Sequence, residues 1–450
     1  MQSTALPIAY GLFILLTVGV LVLPARWAVF SFLLLAMVDA SGISQTSSFL
    51  GEATNGVKAL LLPVALFLRL SPRREPFRNW SFTSKLWMVF AGYVAFAILW
   101  TPYPLPGLKM AAYVGSYVLL YPVLKKTWEE GTVDLHLVVL CVWAALGLGV
   151  LQTYILGNPL GRIEGRFTGF TSPQNFATFL VCCLALILFS QLPRATVIFN
   201  SILILAAILL SGSRYVFLGT VTVFLLLALT QFQARSRRVK FGSGAALLGI
   251  AALGLALWVV ARYAPDSRMN ELQESYSEGS VENIGTLVER LGIYETAINQ
   301  IVDRFNGQWG TFVFGSGTSS AARIFDEFNA PAWQENQDAN RAVHDEFLRA
   351  LYEWGVIGAI LFLSFVVATF LRYAKAAFRQ RKAGALAVIA IFPTMLLGLA
   401  IENILAGAVT GGGTGYLLVL AYGASFAGHP SFGQAEVVRV PEKTICWTLV

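Results

Sequence analysis

The sequence predicts an all-α integral membrane protein, a polytopic bundle of 12 or 13 spans with one large, partly helical external loop. Three observations carry that expectation. Only 13% of the 450 residues are charged and 56% are hydrophobic, whereas a soluble chain carries about 25% charged residues. Many apolar runs approach the roughly 17–25 residues that cross a bilayer core as a helix, and the mean hydropathy is +0.66. Lysine and arginine then cluster in alternate connections between those runs, the pattern of cytoplasmic loops.

Taken in order, the expected spans are Ile8–Leu23, Trp27–Val38, Val57–Leu70, Leu86–Trp100, Leu108–Leu124 and Leu135–Leu156. Asn175–Gln191, Thr196–Leu210, Tyr215–Thr230 and Ser243–Ala261 follow, and Phe347–Leu371, Gly384–Ile401 and Gly415–Phe426 close the series. Backbone amides in hydrocarbon need internal partners, and these runs are too long and too uniformly apolar for barrel strands, so they read as helices. The first two are short and separated by Pro24–Arg26. Counting both as crossings gives 13 spans with the N-terminus outside; one crossing plus an interfacial or re-entrant piece gives 12. The start has no Lys or Arg before Arg26 and reads as a retained span rather than a cleaved signal.

The basic connections are Arg69–Lys85, Lys125–Lys126, Arg194, Arg235–Lys240 and Arg372–Lys382. Alternation from Val57 onward then puts Tyr263–Asp345 on the outer side. That loop has no lysine, and thirteen acids against five arginines leave it at −8 in a chain of net charge +7. The expected organisation is a membrane bundle over residues 1–262, the external loop over 263–345, further membrane helices over 346–427 and a cytoplasmic tail over 428–450. Within the loop, Ile284–Val302 predicts an amphipathic helix with Leu287, Leu291, Tyr294, Ile298 and Ile301 on its apolar face. Trp309–Ser320 reads as a Gly-rich turn region and Ala321–Phe328 as a short helix. A loop of this length without disordered composition is usually functional.

Composition also narrows the chemistry. The positive charge sits in short inter-span clusters with no basic, aromatic-interleaved module, which argues against nucleic acid as a partner. Cys141, Cys182 and Cys183 lie in apolar runs and suit core packing; with Cys446 in the tail, neither a disulfide framework nor a Cys-ligated metal is expected. No cofactor is expected. His136 and His429 suggest no role.

Four segments place charge at the outer mouth of the bundle, where it is expensive and needs a reason. They are Gly161–Asn175 with Arg166, Ser211-Gly212-Ser213-Arg214, Glu289-Arg290 in the loop helix, and His344-Asp345-Glu346-Phe347-Leu348 followed by Glu353-Trp354-Gly355. Arginine forks suit phosphate oxygens, and histidine accepts a proton near neutral pH. Each also has a plain reading. Arg214 could anchor at headgroups, Arg290 pair with Glu289 or Glu295, His344 cap a helix, and Arg166 be an ordinary loop charge. Gly315-Ser316-Gly317-Thr318 matches no phosphate-loop pattern and reads as a turn.

At these motifs the sequence resembles the bacterial O-antigen ligase and O-antigen polymerase superfamily. Val343 through Gly358 is similar to the family's His-Asn-x-Phe-Leu-x-x-Leu-x-Glu-x-Gly-x-x-Gly signature, with Asp345 where Asn is frequent. Ser211–Arg214 resembles the family's Gly-Ser-Arg. Glu289-Arg290 followed by Gly315-Ser316-Gly317 resembles the course of its large loop. Arg166–Asn175 resembles its Arg-x-x-Gly…Pro-Asn segment, although Gln174 splits Pro173 from Asn175.

The resemblance implies a metal-independent, inverting glycosyltransferase of a bacterial inner (plasma) membrane, with its site on the periplasmic or extracellular side. It would move a glycan from undecaprenyl diphosphate to an acceptor hydroxyl. It implies His344, Arg214 and Arg290 as catalytic, and Arg166, Asn175, Asp345 and Glu353 as substrate-binding, with Asp345 or Glu353 able to orient His344. The acceptor would be another lipid-linked repeat (an O-antigen or exopolysaccharide polymerase), the sugar of lipid A-core (a ligase) or a protein hydroxyl. From a different class, a secondary transporter would show internal repeats and ionisable groups at the midplane. No repeat is visible, and Glu402-Asn403 is the one candidate for such a group.

Overall fold

A computed structural model describes residues 2–38, 54, 56–70, 81–156, 166–233, 285–324, 345–379, 383–401 and 411–425. Among them every regular element is helical. Helices α1 (Gln2–Val22) and α2 (Ala25–Leu35) are joined at Pro24; α3 (Leu62–Leu70) follows a π turn, Val57–Leu61. Then come α4 (Phe82–Phe96), tightening into a 3₁₀ turn Ala97–Trp100, α5 (Pro104–Glu129), and α6 (Leu135–Val150) with a π turn Leu151–Ile155. They are followed by α7 (Pro173–Leu188), α8 (Arg194–Ser211), α9 (Arg214–Gln233), α10 (Gly285–Gly307) and α11 (Trp309–Phe314). Last are α12 (Glu346–Ala374), continuing as a π turn Lys375–Arg379, α13 (Ala383–Ile401) and α14 (Gly411–Ser425). The expected span Ser243–Ala261, the tail 428–450 and Glu402-Asn403 lie outside the described residues.

Local chemistry sets the starts. Ser81, Asp134 and Ser172 each accept a hydrogen bond from a first-turn amide, those of Ser84, Leu137 and Asn175. Pro104 and Pro173 occupy the first turns of α5 and α7, where a missing N–H costs nothing.

The outer surface identifies the solvent. Among the described residues, five helices are long and apolar enough to cross a bilayer: Phe82–Trp100, Pro104–Glu129, Leu135–Ile155, Arg194–Ser211 and Glu346–Phe378. Only 22% of the apolar window of Phe82–Trp100 is buried in the protein, and Leu99 is 77% exposed. Surface of that character faces lipid, so the chain is a multi-pass membrane protein. Helix α7 is the reverse case. Every residue from Phe176 to Ile187 is buried, as expected of a helix apolar on all sides, and α6, α8, α9, α13 and α14 pack around it. Cys141, Cys182 and Cys183 are free thiols within this core.

The two ends of the bundle differ in charge. At one, Arg372 donates to Thr83 Oγ1 at 3.0 Å, Ser425 Oγ donates to the Lys125 carbonyl at 2.9 Å, and Arg26 pairs with Asp134 at 3.2 Å. Arg69 caps α1 there, donating to the carbonyls of Val20 and Leu21 at 2.8 and 2.9 Å and to that of Leu23. This is the basic end. The N-termini of α5, α12 and α14 and the C-terminus of α4 therefore lie at the opposite end. Gly415 of α14 backs onto Phe179 and Cys182, which brings the N-terminus of α7 to that end too.

The opening pair is unequal. Twenty-one residues of α1 span roughly 31 Å at 1.5 Å per residue, and the eleven of α2 roughly 16 Å, about half a hydrocarbon core. Three residues past α2, the Val38 carbonyl accepts a hydrogen bond from Lys58 Nζ at 2.7 Å, with Lys58 only 2% exposed.

Candidate functional site

The opposite end is organised around the start of α12. Asp345 is its N-cap, with one carboxylate oxygen accepting the amides of Phe347 and Leu348, both at 2.9 Å. Burial pushes this carboxyl above the usual carboxylate range, against the lowering effect of those two bonds. Over the next two turns Glu346, Arg349 and Glu353 share a helix face and are buried at 0%, 5% and 0% exposure. Arg349 Nε donates to Glu353 at 3.1 Å, and its Nη1 stands 3.8 Å from Glu346.

Helix α12 then breaks. Gly355 adopts φ 62°, ψ −165°, and the segment 315–321 is strapped across the break. Ser316 and Gly317 donate their amides to the carbonyls of Tyr352 and Glu353 at 3.3 and 2.9 Å. The Glu353 carboxylate accepts the amides of Ser319 and Ala321 at 2.8 and 3.4 Å. Backbones touch here. A Cβ on Gly355 would lie 2.4 Å from Gly315 N and Val313 O, and one on Gly317 would lie 2.6 Å from Thr101 Cα.

Thr318 ties the strap to α4. Its hydroxyl donates to the Val94 carbonyl at 2.6 Å and accepts from Trp354 Nε1 at 3.0 Å; Thr101 Oγ1 donates to its carbonyl at 2.7 Å. The side of α10 is fixed as well. Arg304 lies 3.8 Å over the Tyr352 ring and donates to its carbonyl at 3.0 Å, and Tyr352 Oη donates to Gln300 Oε1 at 2.7 Å.

The loop readings meet the structure unevenly. The amphipathic helix is present as α10, but Ile293, Ala297 and Ile301 are its buried stripe, while Ile298 is 50% exposed. Residues 309–314, expected as a turn, form α11, because Phe305, Trp309 and Phe312 stack on one another at 5.2–5.9 Å. The Gly-rich turn proper is the strap.

A second cluster shares this end. Gly212 closes α8 in the left-handed region, φ 64°, and the Arg166 guanidinium packs over it, Nε 3.5 Å from where a Cβ would sit. Phe167 N donates to the Leu210 carbonyl at 3.0 Å, so the Arg166 segment and the Ser211–Arg214 turn are one unit. Asn175 stands in the first turn of α7, its amide on the Ser172 cap, and one turn on Thr178 Oγ1 shares a hydrogen bond with Tyr215 Oη at 2.8 Å.

The structure thus brings Arg166, Asn175, Asp345 and Glu353 to one end of the bundle. Arg214 begins α9 and Arg290 falls in α10; the side chains of both, and all of His344, lie outside the described residues. Two residues of the site were not singled out in the sequence. Arg349 was detectable from its spacing to Glu346 and Glu353, three and four residues away on one helix. Arg304 had no such signal, since its partner is a backbone carbonyl across the loop.

Residues 199–363 match the family profile described as O-antigen ligase. The matched stretch takes in the Ser211–Arg214 turn, α10, the strap and the start of α12. A search of curated proteins returns no match.

Proposed function

With residues 199–363 carrying the O-antigen ligase family match, we propose that this membrane glycan-assembly enzyme transfers a glycan from undecaprenyl diphosphate to the hydroxyl of another lipid-linked repeat. The reading is supported most by the fixed start of α12, where a cap, a buried Arg–Glu pair and a backbone strap hold the residues that directly follow His344. A residue that must receive a proton in the transition state needs such rigid surroundings.

The acceptor oxygen attacks the sugar C1 from the face opposite the diphosphate, and its proton passes to His344. The bond from C1 to the diphosphate oxygen breaks, the leaving group keeps the electron pair, and the anomeric configuration inverts. Negative charge grows on that oxygen during the step, so arginines there stabilise the transition state more than the ground state. Arg214 and Arg290 take that role, with Arg166, packed over the Gly212 turn, beside them. Asn175 and Asp345 contact substrate, and Glu353 acts by positioning, its carboxylate being engaged by the strap and Arg349. The basic end faces the cytoplasm of a bacterial inner membrane and the site faces outward.

The test is His344→Ala in the native membrane. Transfer should fall by about a hundredfold or more, with lipid-linked repeats accumulating at unchanged protein level. Single repeats still reaching the cell surface mark a polymerase; long lipid-linked chains with none transferred mark the ligase reading, which the family description favours. Normal glycan output from that variant would remove the mechanism.

A further inference from the structure

The described residues line a cavity of about 250 Å³ between α4, α5, α12, α13 and α14; the part of its wall nearest the basic end, here called its mouth, lies away from the site above. Its walls change character in a fixed order. At the mouth stand Lys125, Arg372 and the hydroxyls of Ser81, Thr83 and Ser84. Among the described residues Arg372 meets no carboxylate; its recorded bond is to Thr83 Oγ1, and its guanidinium lies 5.6 Å from the Tyr373 ring. Lys125 pairs with Glu129 at 3.2 Å on the helix exterior.

Roughly one turn deeper along each helix, at 1.5 Å per residue, come Trp87 and Thr369, 7% and 3% exposed. Among the described residues, the buried Trp87 Nε1 and Thr369 Oγ1 have no hydrogen-bond partner. Deeper still the lining is Phe362, Phe365, Met395 and Leu399. Cationic mouth, then buried donors, then an apolar throat: that sequence needs a ligand with an anion, then acceptors, then hydrocarbon.

We propose that the cavity is a binding site for an anionic phosphoglyceride from the leaflet at the basic end. The phosphate sits on Arg372 and Lys125, an ester carbonyl accepts from Trp87 Nε1 and Thr369 Oγ1, and one acyl chain fills the throat. The indole N–H is donor-only and buried, so it requires an acceptor at that depth. An ester carbonyl supplies one; a polyprenyl phosphate carries none there. The two cations at the mouth select a net-negative headgroup. This assignment does not depend on the transfer reaction proposed above.

The test uses the full chain, delipidated in detergent and read by native mass spectrometry after incubation with dioleoylphosphatidylglycerol or dioleoylphosphatidylcholine. Wild type should retain the glycerol lipid about tenfold better. The double substitution Lys125→Gln and Arg372→Gln should erase that preference. Trp87→Phe should weaken both lipids while leaving dodecyl phosphate, which has no ester carbonyl, unaffected. Far-UV circular dichroism and gel-filtration elution matching wild type verify that each variant is folded. Equal retention of the two lipids by wild type, an unchanged preference in the double variant, or displacement of the lipid by millimolar inorganic phosphate would each overturn the assignment.

Discussion

Glu353 and Asp345 separate two ways an acid can serve a site. Glu353 is enclosed, bonded to two strap amides and to Arg349. Replacing it by alanine leaves a buried guanidinium short of a partner and should destabilise the protein by about 3 kcal/mol, measured by thermal unfolding in detergent. The milder Glu353→Gln should lower activity without moving the pH–rate profile, because a positioning group does not set the basicity of His344. A shifted profile would reassign Glu353 as the orienting acid. Asp345 caps a helix, a task asparagine performs equally well. Asp345→Asn should keep stability within a few tenths of a kcal/mol, and Asp345→Ala should lose about 1 kcal/mol. Because its folded-state pKa is raised, Asp345 contributes stability below the unfolded carboxylate value that is lost as pH rises through the folded value. Asp345→Asn should therefore flatten the stability curve in that window. The resemblance of 343–358 to a family signature pointed to these acids, but their division of labour was not legible, since burial and the strap's amides are tertiary facts.

At the scale of elements, the break in α12 matters most. The sequence predicts one span, Phe347–Leu371, straight through Gly355. The structure uses Gly355 differently, turning the backbone to φ 62° so that the strap's amides reach the carbonyls of Tyr352 and Glu353. Gly355→Ala places a methyl 2.4 Å from backbone atoms and forces a conformation that costs about 1–3 kcal/mol before any clash is counted. Protease cleavage near Gly315 should rise in that variant while the basic end, some 20 residues away along α12, stays protected. Undisturbed cleavage kinetics would mean that the strap is not fastened by the break. The rotation of the buried stripe in α10 has a similar origin. Apolar spacing predicts that a helix is two-sided, but here both Ile293–Ala297–Ile301 and Ile298–Val302–Phe305 are apolar, and only the docking of Tyr352 selects the inner one.

For the whole molecule, hydropathy and lysine placement foretold a helical membrane bundle with ends of different charge. Hydrogen bonds between distant residues now fasten the basic end, through Arg372 and Thr83, Ser425 and Lys125, Arg69 and α1. The lengths of the first two helices were less legible: α1 begins at Gln2, ahead of the expected Ile8, and α2 stops at Leu35, short of the expected Val38. The orientation follows as a measurement on intact spheroplasts. Glu130→Cys, in the exposed α5–α6 turn, should resist a membrane-impermeant maleimide until lysis, and Gln308→Cys, exposed between α10 and α11, should react at once. The reverse pattern would invert the protein in its membrane.

The outward face of α10 and α11 carries Ile298, Val302, Phe305, Trp309 and Phe314, each about half exposed. A row of that kind rests at the boundary of headgroups and acyl chains. The α10–α11 pair is then a float, riding at the level where a lipid-anchored diphosphate also lies. For the proposed transfer, encounter becomes a search in two dimensions. Its rate should follow the surface density of donor, in molecules per unit area of membrane, and be indifferent to the volume of fluid outside.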